Sequence, residues 1–370
     1  MKKRAYNLWV TPTFVTVVIC SIYILGVLVS HHGNPFAFVL LGTRFSQGDP
    51  HGSEGYDGQF AYQIALNPLE AAPHLDVPAY RYQRVLYPFL VRVLAFGQAG
   101  LIPWALILVN LAAIGLGTWG VESILVNLRV SRWYALIYGL YGGQLAALRT
   151  DLNEPLAYAL VIGAIWAWSR ERRVWAIVTF GLAALAKETS LLFLAAYVLY
   201  ALKMRWWRWA MGLTLGGVGP FMVYQGLLWA WLGHFGVGSG GAGATPFSWI
   251  PLGGWLTIAR VHLGAFLLIS LVVAPMSIWP ALAGVWLSVR RLWPGDVHPF
   301  VYSLLLNSLA ILFLPTSTFR EPLAMLRLTQ GVVVSMLLYG SLTRSWRILN
   351  YSFLWLFTNV LLANGVAGAG

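Results

Sequence analysis

The amino-acid sequence predicts an all-α, polytopic transmembrane protein of about eleven spans, with a long first external loop carrying membrane-surface helices. Three observations predict it. Hydrophobic residues make up 59% of the 370 and charged residues only 10%, with a mean hydropathy of +0.70, a balance foreign to soluble globular domains. The apolar residues gather in runs of roughly the 20 residues that a helix needs to cross the hydrocarbon core. Short clusters of Arg, Lys and Trp separate the runs, as the positive-inside rule asks of cytoplasmic loops.

The first run, "VTPTFVTVVICSIYILGVLVS", follows the basic "MKKR". It reads as a retained anchor rather than a secretory signal, because it is long for a signal core and "HHGNPF" offers no small-residue cleavage site. The single cysteine, Cys20, falls inside it, so no intrachain disulfide is expected. A net charge of +12 suggests nucleic acid in a soluble protein. Here the cations occupy short intervals between apolar spans, and no nucleic-acid partner is expected. Lys2, Lys3, Arg4, Arg129, Arg132, Arg170, Arg172, Arg173, Lys203, Arg205, Arg208, Arg290, Arg291, Arg344 and Arg347 all fall on one side if the spans alternate. That side is the cytoplasm, which puts the N-terminus inside and the protein in the cell membrane. The Trp clusters "MRWWRW" and "SRWY" accompany the same loops, where aromatic rings sit at headgroup level.

The spans read as 10–29, 103–126, 133–148, 155–169, 174–186, 189–202, 207–232, 262–288, 299–314, 322–343 and 348–366, within one transmembrane domain over 1–370. Residues 30–102 form the first external loop. It closes with "YRYQRVLYPFLVRVLAFG", whose Arg81, Arg84 and Arg92 argue against a normal span and for surface helices. Residues 233–261 form a second external, glycine-rich loop. "VWAIVTFGLAALA" and "TSLLFLAAYVLYAL" are short for spans and have Lys187 and Glu188 between them. Basic clusters lie on both outer ends, so the pair is a hairpin whose external tip, "AKET", stops below the membrane surface. The external face is therefore expected to hold a recessed cavity.

This topology sorts the polar motifs. Asp57, Arg81, Arg84, "RTDLNEP", "AKET", the glycine-rich loop and "TSTFREP" all fall outside. Asp57, in "GYDGQFAYQIALNP", precedes a helical pattern with Tyr56, Phe60 and Ile64 on one face, so an N-cap role and a catalytic role both fit it. Asp151 with Glu154, and Thr318 with Glu321, stand at capping-box spacing with a proline in the first turn, and capping is the expected role. Lys187 is harder to explain structurally, since an ionisable residue at membrane depth needs a partner or a wet cavity, and Glu188 is the nearest candidate partner. Arg149 and Arg320 add cations on the same side. His31, His32, His51 and His74 share the first loop with Asp49 and Glu54, but without recognisable ligand spacing no metal and no other cofactor is expected. The glycine-rich loop lacks the Lys-Ser/Thr of a nucleotide-binding loop and reads as a lid or a connector.

One carboxylate with several cations suits a sugar carried on a lipid phosphate. The phosphate departs without a general acid, so the reaction needs a base for the acceptor hydroxyl and cations for the departing charge. "YDGQFAYQIA", "YRYQRVLYPFLVRVLA", "TDLNEPLAYAL" and "LAALAKETSLLFL", in that order, resemble the GT-C superfamily of membrane glycosyltransferases, in particular bacterial relatives of the glycosylphosphatidylinositol mannosyltransferases. The likeness covers about the first 200 residues. It implies a GT-C-like fold, Asp57 as catalytic base, an inverting transfer from a polyprenyl-phosphate sugar to a lipid, glycan or protein acceptor, and a place for Lys187 near the donor phosphate. Charge and side add Arg81 and Arg84 to the donor phosphate site, and Tyr56, Gln59, Tyr62, Arg149, Asp151, Glu154, Glu188, Arg320 and Glu321 to its surroundings. Where many relatives carry paired acidic residues in this loop, the present motif has a single Asp.

Two other classes use the same features. A transporter or lipid flippase also has short helices and intramembrane charge, although here the polar motifs gather on one side and the hydropathy shows no paired halves. A non-catalytic scaffold predicts that Asp57 and Lys187 are replaceable without loss of function.

Overall fold

The computed structural model describes residues 10–363, all of whose regular structure is helical. Among the described residues, four helices are long and apolar enough to cross a membrane: Pro12–Ser30, Ile102–Asn127, Leu263–Leu292 and Pro322–Thr343. Local sequence explains their beginnings. Pro12, Pro103 and Pro322 each occupy a first turn, where the missing N–H would have no intrahelical partner. Thr11 caps the first helix by accepting from Phe14 N at 3.1 Å.

Their burial sets the architecture. The apolar window of Pro12–Ser30 is 17% buried and so lies at the periphery, whereas that of Pro322–Thr343 is 89% buried and forms the centre. Against that centre pack Pro299–Leu312, Gly142–Arg149 and Trp346–Tyr351, and Glu154–Ser169, Arg173–Ala186 and Leu191–Lys203 belong to the same core, which includes Phe180, Phe193, Tyr197, Val333 and Leu337. A second core, with Tyr62, Tyr87, Val91 and Leu106, fixes the first-loop helices onto Ile102–Asn127.

Most ranges read as spans overlap observed helices, but among the described residues only the four above are both long and apolar enough to cross a membrane, and three ranges differ from the sequence reading. Range 133–148 is not one helix. "YGLYGG" breaks it at Leu140 and Tyr141 into Ala135–Gly139 and Gly142–Arg149, because clustered glycine disfavours a continuous helix. Range 348–366 begins as Trp346–Tyr351 and tightens into a 3₁₀ stretch, Ser352–Asn359; its last residues, like Lys2, Lys3 and Arg4, lie outside the described residues. Range 233–261 is a loop only to Leu252, after which Gly253–Val261 is helical. Between Trp207 and Leu232, and again near Pro275, the helices pass through π-helical turns at Gly- or Pro-containing segments.

The segment between Pro12–Ser30 and Ile102–Asn127 is a series of short helices. Gly58–Leu66 is followed by Pro78–Tyr82 and Leu86–Leu94. Arg92 donates through Nη1 to the Ala65 and Leu66 carbonyls at 2.8 and 2.7 Å, satisfying the C-terminal end of the first of these. On Leu86–Leu94 the side chains of Tyr87 and Val91 are buried while Phe89, Val93 and Leu94 are exposed, so both faces are apolar.

Candidate functional site

The site is built where Gly58–Leu66 begins. Gly58 sits directly against the Thr150 carbonyl, and a Cβ at this position would collide with it. The helix start and the Thr150–Asp151 turn therefore share one wall. Asp57 occupies the N-cap position, yet its backbone is helical (φ −54°, ψ −28°) and its side chain accepts no backbone N–H. Side-chain capping needs an extended backbone there. The capping reading of Asp57 is thus corrected.

Both Asp57 oxygens face guanidinium groups instead. Oδ1 lies 2.9 Å from Arg81 Nη2 and Oδ2 lies 3.0 Å from Arg327 Nη1. The carboxylate is 30% exposed and opens onto a cleft that Arg81, Arg84, Asp151, Asn153 and Arg327 also line. Burial pushes the Asp57 carboxyl up, but Arg81 and Arg327 outweigh it and hold the group well below the usual carboxylate range.

Each cation of the cleft is held by an acid other than Asp57. Arg81 grips Asp76 through Nε at 2.6 Å and Nη2 at 2.7 Å and stacks on Phe60, with Cζ 4.2 Å from the ring centre. Arg84 holds Glu188 at 2.9 and 2.5 Å and reaches the Tyr80 hydroxyl at 2.6 Å. Burial raises the Glu188 carboxyl, and Arg84 overcomes it, leaving the group at about 2. Arg327 donates from Nε to Glu154 Oε1 at 2.5 Å, where Lys187 Nζ arrives at 2.6 Å. The Lys187 backbone is extended (φ −159°, ψ 130°) between Arg173–Ala186 and the turn starting at Glu188, and this break turns the side chain inward to Glu154. Asp57, Asp76, Glu154 and Glu188 thus balance Arg81, Arg84, Lys187 and Arg327.

Several sequence-based roles change. Lys187 pairs with Glu154, not Glu188, and is 2% exposed, behind the cleft rather than on it. Glu154 is an ion-pair hub instead of a cap, and Glu321 accepts from the Tyr56 hydroxyl at 2.7 Å instead of capping Pro322–Thr343. Asp151 lines the cleft with its backbone at φ 48° and its side chain fully buried, and neither carboxyl oxygen has a protein partner. Burial pushes that carboxyl well above its usual range, against the pull of Arg149. Gln59, Tyr62, Arg149 and Arg320 lie off the site. Gln59 fastens the preceding loop through the Glu54 carbonyl and Gly42 N, Tyr62 packs edge-on to Phe36, Arg149 reaches the Ala37 carbonyl, and Arg320 is exposed.

Arg327 and Asp76 were not singled out from sequence. An arginine inside "PLAMLRLTQ", in an otherwise apolar span, is the signal that could have found the first; Asp76 carries no comparable signal. Among the described residues no three His, Cys, Asp or Glu side chains are placed to hold a metal ion. Chemically, the site offers an ionised, oriented carboxylate at an open cleft, flanked by guanidinium N–H groups suited to phosphate oxygens. Neither protein-family models, curated proteins nor solved structures match this chain.

Proposed function

We propose that the chain is a lipid-linked glycosyltransferase of GT-C type, inverting, which moves a sugar from a polyprenyl phosphate to an acceptor hydroxyl of a lipid, glycan or protein at the outer face of the cell membrane. One observation carries this reading: Asp57 stands between Arg81 and Arg327 at an open cleft. An acceptor hydroxyl beside the carboxylate would lose its proton to it as the oxygen attacks the anomeric carbon. The sugar–phosphate bond breaks on the opposite side, inverting the centre, and the guanidinium groups take up the charge on the departing phosphate. No nucleotide is required.

The four membrane-length helices, supplemented by shorter apolar helices such as Arg173–Ala186 and Pro299–Leu312, support a multi-pass arrangement. About eleven spans with the N-terminus inside would put Asp57 and the glycine-rich loop outside, where a donor lipid in the outer leaflet reaches them. The exposed Phe89, Val93 and Leu94 beside the site suit contact with that leaflet.

The test is transfer of radiolabelled sugar from a panel of polyprenyl-phosphate donors by the full chain in lipid, beside Asp57→Asn. Wild-type transfer that falls by about 10²-fold or more in the variant, with donor binding retained, is the expected result. Equal transfer by both removes Asp57 from the chemistry. No transfer from any donor, together with lipid or solute flux in vesicles, would instead make the chain a transporter.

A further inference from the structure

As it stands, Asp57 accepts a hydrogen bond from Arg327 at Oδ2 and forms an ion pair with Arg81 at Oδ1, and two neighbouring cations weaken a carboxylate as a base. Drawing one cation away strengthens it. We propose that Asp76 is a positioning residue that holds Arg81 in place while its guanidinium trades Asp57 Oδ1 for a donor phosphate oxygen, leaving Oδ1 free to take the acceptor proton; this rests on the transferase reading.

The two guanidinium groups are not equally free to make that trade. Arg327 belongs to the central helix and is fixed there by Glu154. Arg81 sits on the five-residue helix Pro78–Tyr82. Its Nη2 is shared, reaching Asp76 Oδ2 at 2.7 Å and Asp57 Oδ1 at 2.9 Å. Letting Asp57 go leaves both bonds to Asp76 and the stack on Phe60 in place, so no buried charge is orphaned. Arg81 and Asp57 line the same cleft, so a phosphate entering it comes within reach of that guanidinium.

Asp76 is itself fastened. Its carboxylate is 4% exposed and accepts from Val77 N at 2.7 Å and Ala242 N at 2.9 Å, the second from the glycine-rich loop. That loop comes so close that a Cβ on Gly241 would lie 2.9 Å from Arg81 Nη2. Substrate thus meets an arginine clamped from behind, not a mobile side chain.

The exchange balances. The acceptor O–H bond breaks and its proton goes to Oδ1. The oxygen bonds the anomeric carbon, and the carbon–oxygen bond to phosphate breaks with its electron pair on the phosphate. The phosphate gains the negative charge that Asp57 loses, so Arg81 and Arg327 face one anion fewer on the protein as they face one more on the leaving group. The groups that face Asp57 are Arg81, Arg327 and Arg84, with the Tyr56 hydroxyl 3.4 Å from Arg327 Nη1 and Asp151 across the Gly58 contact.

The test is the pH dependence of transfer by the full chain in lipid, from polyprenyl-phosphate hexose or pentose donors to glycolipid acceptors of a membrane extract. Uncovering Oδ1 in the donor complex raises its basicity there alone. Because kcat reports the bound enzyme and kcat/KM the free one, kcat should be down at least about tenfold at an acid pH where kcat/KM is still level. In Asp76→Asn, Asp57 is the one anion left to hold Arg81 beside its stack on Phe60, so the two profiles should converge and kcat fall by about tenfold or more at neutral pH; Asp76→Glu should restore the separation. Coincident profiles in an active wild type, or a separation unchanged in Asp76→Asn, would overturn the inference and spare the transferase reading. Absence of transfer from every donor overturns both.

Discussion

Arg327 Nη1 lies 3.0 Å from Asp57 Oδ2 across 270 residues of sequence, and the same guanidinium holds Glu154 Oε1 through Nε at 2.5 Å. One side chain therefore joins the central helix to the start of Gly58–Leu66 and to the start of Glu154–Ser169. Arg327→Ala should destabilise the protein by about 3–5 kcal/mol, because it leaves buried carboxylates short of a partner. Arg327→Lys keeps the charge but lacks the two divergent N–H directions, so it should recover part of the stability and little of the transfer. Thermal unfolding in detergent, read beside transfer rates, separates these effects. Full transfer by Arg327→Ala would remove the residue from the site.

Gly58 gives a test of backbone fit. A Cβ there would collide with the Thr150 carbonyl oxygen and lie 3.2 Å from that of Asp151. Gly58→Ala should therefore push the helix start away from that wall, at about 1–3 kcal/mol for overpacking. Since Asp57 is the preceding residue, transfer should drop more than stability alone explains. An alanine variant with wild-type melting and wild-type rates would show that the wall yields.

How much of this was legible in the sequence depends on range. Asp57 stood out because a lone carboxylate beside glycine in so apolar a chain invites a reason, and the short hairpin around Lys187 followed from run length and flanking cations. Their partners did not follow. Local spacing pointed to caps at Asp57, Glu154 and Glu321, but the Asp57 backbone is helical rather than extended, and all three side chains go to residues distant in sequence. Arg327 was hidden by its setting, since 22 residues of apolar helix read as a span before the arginine within it is asked what it pairs with. The helix starts at Glu154 and Pro322 were visible in their first-turn prolines; the break between residues 133 and 148 falls at glycines and only the packed structure shows it.

Lys187 and Glu154 allow the structural and catalytic roles to be parted. Lys187→Met leaves Glu154 with Arg327, whereas Glu154→Gln strands Lys187, which is 2% exposed, with its closest ion pair gone. The glutamate variant should be the more destabilised, by about 3–5 kcal/mol. In the double variant the losses should fall short of their sum by about 0.5–3 kcal/mol. Because Lys187 lies behind the cleft, donor KM should change by less than about threefold in Lys187→Met; a KM rise of tenfold or more would return Lys187 to the phosphate.

Acid should weaken the site in a defined window. Glu188, Asp57 and Asp76 all have their carboxyls lowered in the folded protein, against 4.5 for an unperturbed Glu and 3.8 for an unperturbed Asp, with Glu188 at about 2. A depressed carboxyl contributes stability that is fully present above its unfolded value and disappears as the pH falls through its folded value. Stability should hold at neutral pH and decline from about pH 4.5 downward. For Glu188 the difference amounts to something on the order of 3 kcal/mol at neutral pH, carried by the two bonds from Arg84. Glu188→Gln should therefore melt lower than wild type at pH 7 and converge with it in acid. Parallel melting curves at every pH would mean that Arg84 finds an equal partner elsewhere and that the pair adds nothing to the fold.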